Sequence, residues 1–254
     1  SESKPKSSNA YQSLRLSTSA SLQQFTATPI PTSTQNAAVS ANEARLSAIL
    51  LANDVKNFAY KRVPSDYYDW SLDARRDALG AASIHHLCKS IILVVVRPCL
   101  HSPQSSVVDC SDSNNSKYYV VVFQVCEIWT PLFLGARFNA EAVKNFLYSL
   151  NEGKIAKKKF NCQFLKVIVV VIGYALRLAP EDKSIELTGF EHNAVTCVGM
   201  KTDIPVILDE AIEKLNPDFF WLGGGEVDLK LGIRTSEFIN FAKPFIEKLK
   251  LLNN

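Results

Sequence analysis

The sequence carries little net charge, no CxxC pair, no histidine at metal-ligand spacing and no long apolar run. Each absence excludes something. A formal charge of +3 over 254 residues gives no global sign of nucleic-acid binding, so local clusters of charge carry more information than the total. The cysteines at 88, 99, 110, 126, 162 and 197 are scattered, which argues against a zinc site and reads as buried, reduced thiols. The longest apolar stretches, 91–96 and 167–172, fall far short of the roughly 18 residues a membrane helix needs, and read as buried strands. No internal repeat is visible. With 47% hydrophobic residues, a chain of this length can bury a core without disulfides or metals.

Residues 1–41 are rich in Ser, Thr, Ala and Gln, have Glu2 as their single acid, and show no periodic apolar face. This composition reads as a disordered tail; scarce acids and abundant Ser are also features of an organellar transit peptide. Cytoplasmic and organellar locations both fit. Residues 42–254 read as one folded domain.

Within it, Asn42 is placed to cap a helix through Leu46, Ile49 and Leu50. Strands are expected at 58–63, 87–96 and 118–125. Helices are expected at 73–79, ending on Gly80, and from Asn139 through Leu150. Further on come short strands at 195–198 and 205–208, a short helix at 209–215, and strands at 219–222 and 227–233. A closing helix at 236–252 should kink at Pro244. Helices alternate with closely spaced strands, which predicts an α/β domain with a mixed, barrel-like sheet surrounded by helices.

Two segments carry chemistry. One runs Leu178-Ala179-Pro180-Glu181, Leu187-Thr188-Gly189-Phe190 and 193–200 (NAVTCVGM), then Ile204-Pro205-Val206-Ile207-Leu208-Asp209-Glu210. The other is 220–231, FWLGGGEVDLKL. In order and spacing these resemble the YbaK/prolyl-tRNA synthetase editing-domain family. Leu79-Gly80 and Leu87-Cys88-Lys89-Ser90-Ile91 are similar to an upstream segment of that family, and the likeness spans roughly 43–250. Asn193-Ala194 and Cys197 stand where the family loop has Gly-Gly and Pro. Two apolar pieces, 126–135 and 162–175, interrupt the family-like order.

The resemblance implies an aminoacyl-tRNA deacylase that hydrolyses the ester of mischarged tRNA without a cofactor or metal. It implies a backbone-held water in place of a Ser or Cys nucleophile. The partner would be the acceptor end of tRNA, with an aminoacyl-tRNA synthetase as a further candidate. No synthetase catalytic or anticodon-binding segment is recognisable, so the expected mode is freestanding editing in trans. A catalytically weak tRNA- or synthetase-binding module is the alternative.

Lys89 is the first candidate catalytic residue, since a Lys among apolar residues near a strand start is costly unless it faces a cleft or partner. Asn193, Ala194 and Gly199 would belong to the catalytic loop, whose backbone N–H groups could point at the ester carbonyl; an ordinary connector is the alternative. Ser90, Thr196, Gly223, Gly224, Gly225 and Asp228 would bind substrate; Asp228 could equally be a solvent-side residue paired with Lys230. The glycine run could as well be a plain tight turn. Its spacing fits neither a Walker nor a Rossmann loop. Lys154, Lys157, Lys158 and Lys159 form a basic cluster suited to phosphate contact or simply to solvent.

Overall fold

A computed structural model describes residues 39–96, 110–125, 140–150 and 175–249. The tail 1–38, the interruptions 126–135 and 162–174, and the basic cluster 154–159 lie outside the described residues.

Helix α1 (Ala41–Ala52) begins where the Ser40 hydroxyl accepts the Glu43 N–H at 3.0 Å. The cap therefore sits two residues before the expected Asn42. Asn42 is freed to donate to the Gly225 carbonyl at 3.0 Å, which ties the helix to the glycine run. Leu46 and Leu50, one turn apart, are fully buried. Helix α2 (Leu72–Leu79) is capped by Ser71 and ends, as the sequence predicts, at Gly80 in the left-handed region, φ 62°.

Two sheets form. Strands β1 (Phe58–Arg62), β6 (Phe220–Gly223) and β7 (Leu229–Ile233) make an antiparallel sheet in the order β1-β7-β6. A second sheet joins β2 (Cys88–Val96), β3 (Tyr118–Gln124), β4 (Ala175–Leu178), β5 (Val206–Asp209) and β8 (Phe245–Glu247) in the order β4-β2-β3-β5-β8. It is mixed: β2 runs antiparallel to β3 and β4, while β3–β5 and β5–β8 are parallel. Leu87, just before β2, bridges to Trp221 of β6, so the two sheets meet at that corner. The expected mixed α/β fold is present, divided between two sheets.

The period of 2 along a strand explains the apolar run in β2. Cys88 and Ile92 join the core between the sheets, with Val120, Val122, Phe220, Leu222, Leu231 and Ile233. Ile91, Leu93 and Val95 face the other way, with Tyr119, Val121, and Val143 and Leu147 of helix α3 (Ala140–Leu150). A strand covered on both faces has no polar side to show. Helix α4 (Glu181–Thr188) follows β4, and α5 (Glu210–Glu213) is capped by the Asp209 side chain.

Two expectations need correction. Residues 195–198 form no strand: Asn193 lies at φ 64°, the Ala194 N–H donates to the Glu191 carbonyl, and Gly199 lies at φ 67°, so the chain turns at 192–194 and bends again at 197–199. The closing helix is also shorter than expected. Helix α6 (Thr235–Ala242) stops at Lys243, φ 44°, and after Pro244 the chain becomes β8, paired with β5. Proline disfavours helical geometry in the residue before it and lacks an N–H, so Pro244 ends the helix.

Candidate functional site

A cleft opens where the two sheets meet. One wall is α2 with the 67–68 turn; another is the start of β2; the rest comes from the 193–195 turn, the end of β6 and Lys230 of β7. Its apolar floor is a separate small cluster that includes Tyr67, Leu72, Leu79, Leu87 and Trp221.

Tyr68 organises the polar contacts. Its hydroxyl donates to the Asn193 carbonyl at 2.8 Å and accepts from Lys230 Nζ at 2.5 Å. Lys89 Nζ donates to the Asn193 side-chain oxygen at 2.8 Å. The Tyr68 ring lies 4.3 Å from Lys230 Nζ, 5.3 Å from Lys89 Nζ and 5.7 Å from the Arg75 guanidinium carbon. The ring face offers each cation a partial negative charge. Among the described residues, no carboxylate lies within ion-pair distance of Lys89, Arg75 or Lys230.

The missing counter-charge shows in the acid–base properties. Burial, reinforced by the Arg75 charge, lowers the Lys89 ammonium to about 8. Burial and then the charges of Lys89 and Arg75 lower Lys230 to about 7, with Asp228 pulling weakly the other way. An unfolded Lys holds its proton to about 10.4. For these two lysines the unfolded chain binds more protons than the folded one between pH 7 and that value, so their contribution to stability rises with pH; the buried Cys197 thiol opposes it once free thiols ionise, above about 8.5. The melting temperature is therefore expected to rise between pH 7 and 9.5. The rise should be smaller in Lys230→Met, as checked by calorimetry of both proteins across the pH series; identical pH profiles would show that the fold does not weaken the hold of Lys230 on its proton. Tyr67 and Tyr68, whose hydroxyls burial raises, ionise first in the unfolded chain, at about pH 10, and so oppose the rise only at the top of the window.

Of the residues proposed from sequence, Lys89, Asn193 and Gly223 line the cleft together. The others lie behind it or beside it. Ser90 is buried, with its hydroxyl 3.8 Å from Cys197 Sγ. Thr196 is fully buried and its hydroxyl accepts the Val198 N–H at 3.4 Å. Gly199 packs against Leu46 and Arg45 of α1. Gly225 donates its N–H to the Ala194 carbonyl, and Gly224 to that of Leu229, so both hold the turn's shape. Ala194 is 1% exposed within the core, so its small size serves packing; a larger residue there would strain the core before it reached a ligand. Asp228 is 2.9 Å from Arg62, which also holds Glu226 at 3.0 Å.

Lys230 is therefore neither at the solvent side of β7 nor paired with Asp228. It is 5% exposed, because the 67–68 turn covers that face of the strand. Tyr68, Arg75 and Lys230 are the site residues that sequence reasoning missed. A lysine between Leu229 and Leu231 looks like ordinary strand alternation, and only the covering segment makes it unusual.

Cys197 is 7% exposed, and burial pushes its thiol up to about 12. A thiol that stays protonated is a poor nucleophile. Native protein treated with iodoacetamide is expected to remain unmodified at Cys197 by mass spectrometry, and alkylation at the rate of a free thiol would show the residue to be accessible. His192 is exposed in the same turn. Among the described residues, no group of His, Cys, Asp and Glu could hold a metal ion, and no helix is long and apolar enough to cross a membrane.

The family model described as the aminoacyl-tRNA editing domain matches residues 165–241. That stretch contains the Asn193–Gly199 turn, the glycine run and Lys230. No curated protein matches the chain. A protein proposed as a trans-editing enzyme for prolyl tRNA synthetase has a crystal structure similar to this one, with a TM-score of 0.55 at 16% identity, covering 84% of this chain and 99% of that one. A protein from work on grafting epitope backbones onto scaffolds gives 0.54 at 15%, with the same coverage. A hypothetical protein gives 0.50 at 15%, covering 82% and 99%. At these identities the likeness is one of fold.

Proposed function

We propose that residues 42–254 form an editing domain that hydrolyses the ester of mischarged aminoacyl-tRNA, a reading supported by the match of residues 165–241 to the aminoacyl-tRNA editing domain model. The observation that carries this reading is the Lys89–Asn193 contact. It places a half-buried cation from β2 against the turn of the family-matched stretch, at the edge of a cleft that also holds Tyr68 and Lys230.

The chemistry asks little of the protein. An aminoacyl ester is already activated, so a placed water, donors for the developing oxyanion and a grip on the terminal nucleotide suffice. Lys89 supplies a charge-assisted donor for that grip. Tyr68 holds the turn through the Asn193 carbonyl, and the apolar floor beside Trp221 takes the acyl side chain and keeps bulk water out. Cys197 and Ser90 take no part, being buried against each other. Action in trans follows the similar protein proposed to work that way, whose length this chain covers almost entirely. A synthetase could deliver the substrate, and a cytoplasmic setting suits it.

The test is a panel of tRNAs charged with Ala, Ser, Cys and Thr, assayed beside correctly charged controls. Selective release of one amino acid is the expected result. Retention of the tRNA on a filter with no hydrolysis would replace the deacylase by a binding module.

A further inference from the structure

We propose that Lys230, with Arg75 and Lys89, forms a phosphate subsite in the cleft, and that Lys230 is a positioning residue that seats a nucleotide phosphate against Tyr68. The editing reading supplies the nucleotide, as the terminal one of the tRNA; the subsite itself follows from the cations.

Lys230 is buried and Lys89 and Arg75 are half-buried beside it; like charges gathered out of water without a counter-charge are unfavourable, and an anionic ligand would complete the balance. Here Arg75, Lys89 and Lys230 converge on one ring, while Asp228, the acid whose charge reaches Lys230, is held by Arg62. Their donors are not used up. An ammonium has three N–H bonds. Lys89 uses one, on Asn193. Lys230 uses two, on the Tyr68 hydroxyl and, at 3.3 Å, on the Val227 carbonyl. Arg75 gives its Nε to the Trp70 carbonyl at 3.0 Å and one Nη2 proton to the Tyr68 carbonyl, which leaves most of its fork free. The remaining donors suit an anion with several acceptor oxygens, and the flanking aromatic faces suit a base.

A purely structural Lys230, holding Tyr68 in place, makes a different prediction. The Tyr68 hydroxyl already has the Asn193 carbonyl as acceptor, so losing Lys230 orphans no buried group. Its removal relieves repulsion between cations. Lys230→Met should melt no lower than wild type, whereas a structural lysine would lower the melting temperature.

Binding of adenosine 5′-monophosphate, adenosine and glutarate to the wild type and Lys230→Met, followed by calorimetry, decides the question. The wild type should bind the monophosphate at least about 10-fold tighter than adenosine. Lys230→Met should close that gap, while its affinity for adenosine stays unchanged, since a charge-assisted contact is worth roughly one to two decades. Equal binding of the monophosphate and adenosine by the wild type overturns the subsite without any variant. So does a Lys230→Met protein that keeps the gap, or glutarate bound through Lys230 in place of the monophosphate. The outcome is separable from the editing reading. If no mischarged tRNA is hydrolysed but the gap is present and depends on Lys230, the subsite stands alone. If tRNA is deacylated and the gap is absent, editing stands and the subsite falls.

Discussion

Gly223→Ala is expected to lose at least about 100-fold in deacylation and to melt several degrees lower. Gly223 is the last residue of β6 and pairs with Lys230 of β7. A Cβ built on it would lie 2.4 Å from the Val195 carbonyl oxygen and 3.3 Å from that of Ala194. Both are backbone atoms of the turn that carries Asn193, so no side chain can swing away to make room. The turn must move, and with it the acceptors of Lys89 and Tyr68. Overpacking of this kind costs about 1–3 kcal/mol, which is roughly 2–12 °C for a domain of this size. A displacement near 1 Å in a positioned site can cost about a hundredfold in rate. Single-turnover deacylation and calorimetry on the same preparation check both parts. Unchanged rate and melting temperature would mean that β6 does not clamp the turn.

Lys89→Met should lower kcat/KM for deacylation by about 10- to 100-fold, the worth of a charge-assisted contact of roughly 1.5–3 kcal/mol. Methionine keeps the apolar stem that packs in the cleft wall and removes the charge. The folded state should not suffer, because the charge it removes is one that burial and Arg75 already disfavour. If Lys89 contacts a phosphate of the single-stranded acceptor end, the slope of log K against log salt should flatten by about 0.7. A folded Lys89→Met enzyme with wild-type kcat/KM would remove Lys89 from the site. A lower rate with an unchanged salt slope would keep it as a holder of Asn193 but not as a phosphate contact.

The two substitutions probe different origins of the site. Lys89 was legible in the sequence because an ammonium inside Leu87–Ile91 had to face something polar. Gly223 was legible only as one of three adjacent glycines. The structure separates them: Gly223 makes room for a carbonyl, while Gly224 and Gly225 donate N–H groups that shape the turn.

What the sequence by itself determined is local. The run in β2 could only be a strand covered on both faces, Gly80 had to end α2, and the order of segments pointed to the editing-domain fold. Helix boundaries slipped where two caps competed, as when Ser40 took the role expected of Asn42. Tertiary structure alone decided the cation cluster. Lys230 is buried because a turn some 160 residues earlier in the chain lies over it. Asp228 is unavailable because Arg62, on the neighbouring strand, claims it first. Strand alternation states which face a residue takes but not what covers that face, and the cover, being distant in sequence, sets the charge and the chemistry of the cleft.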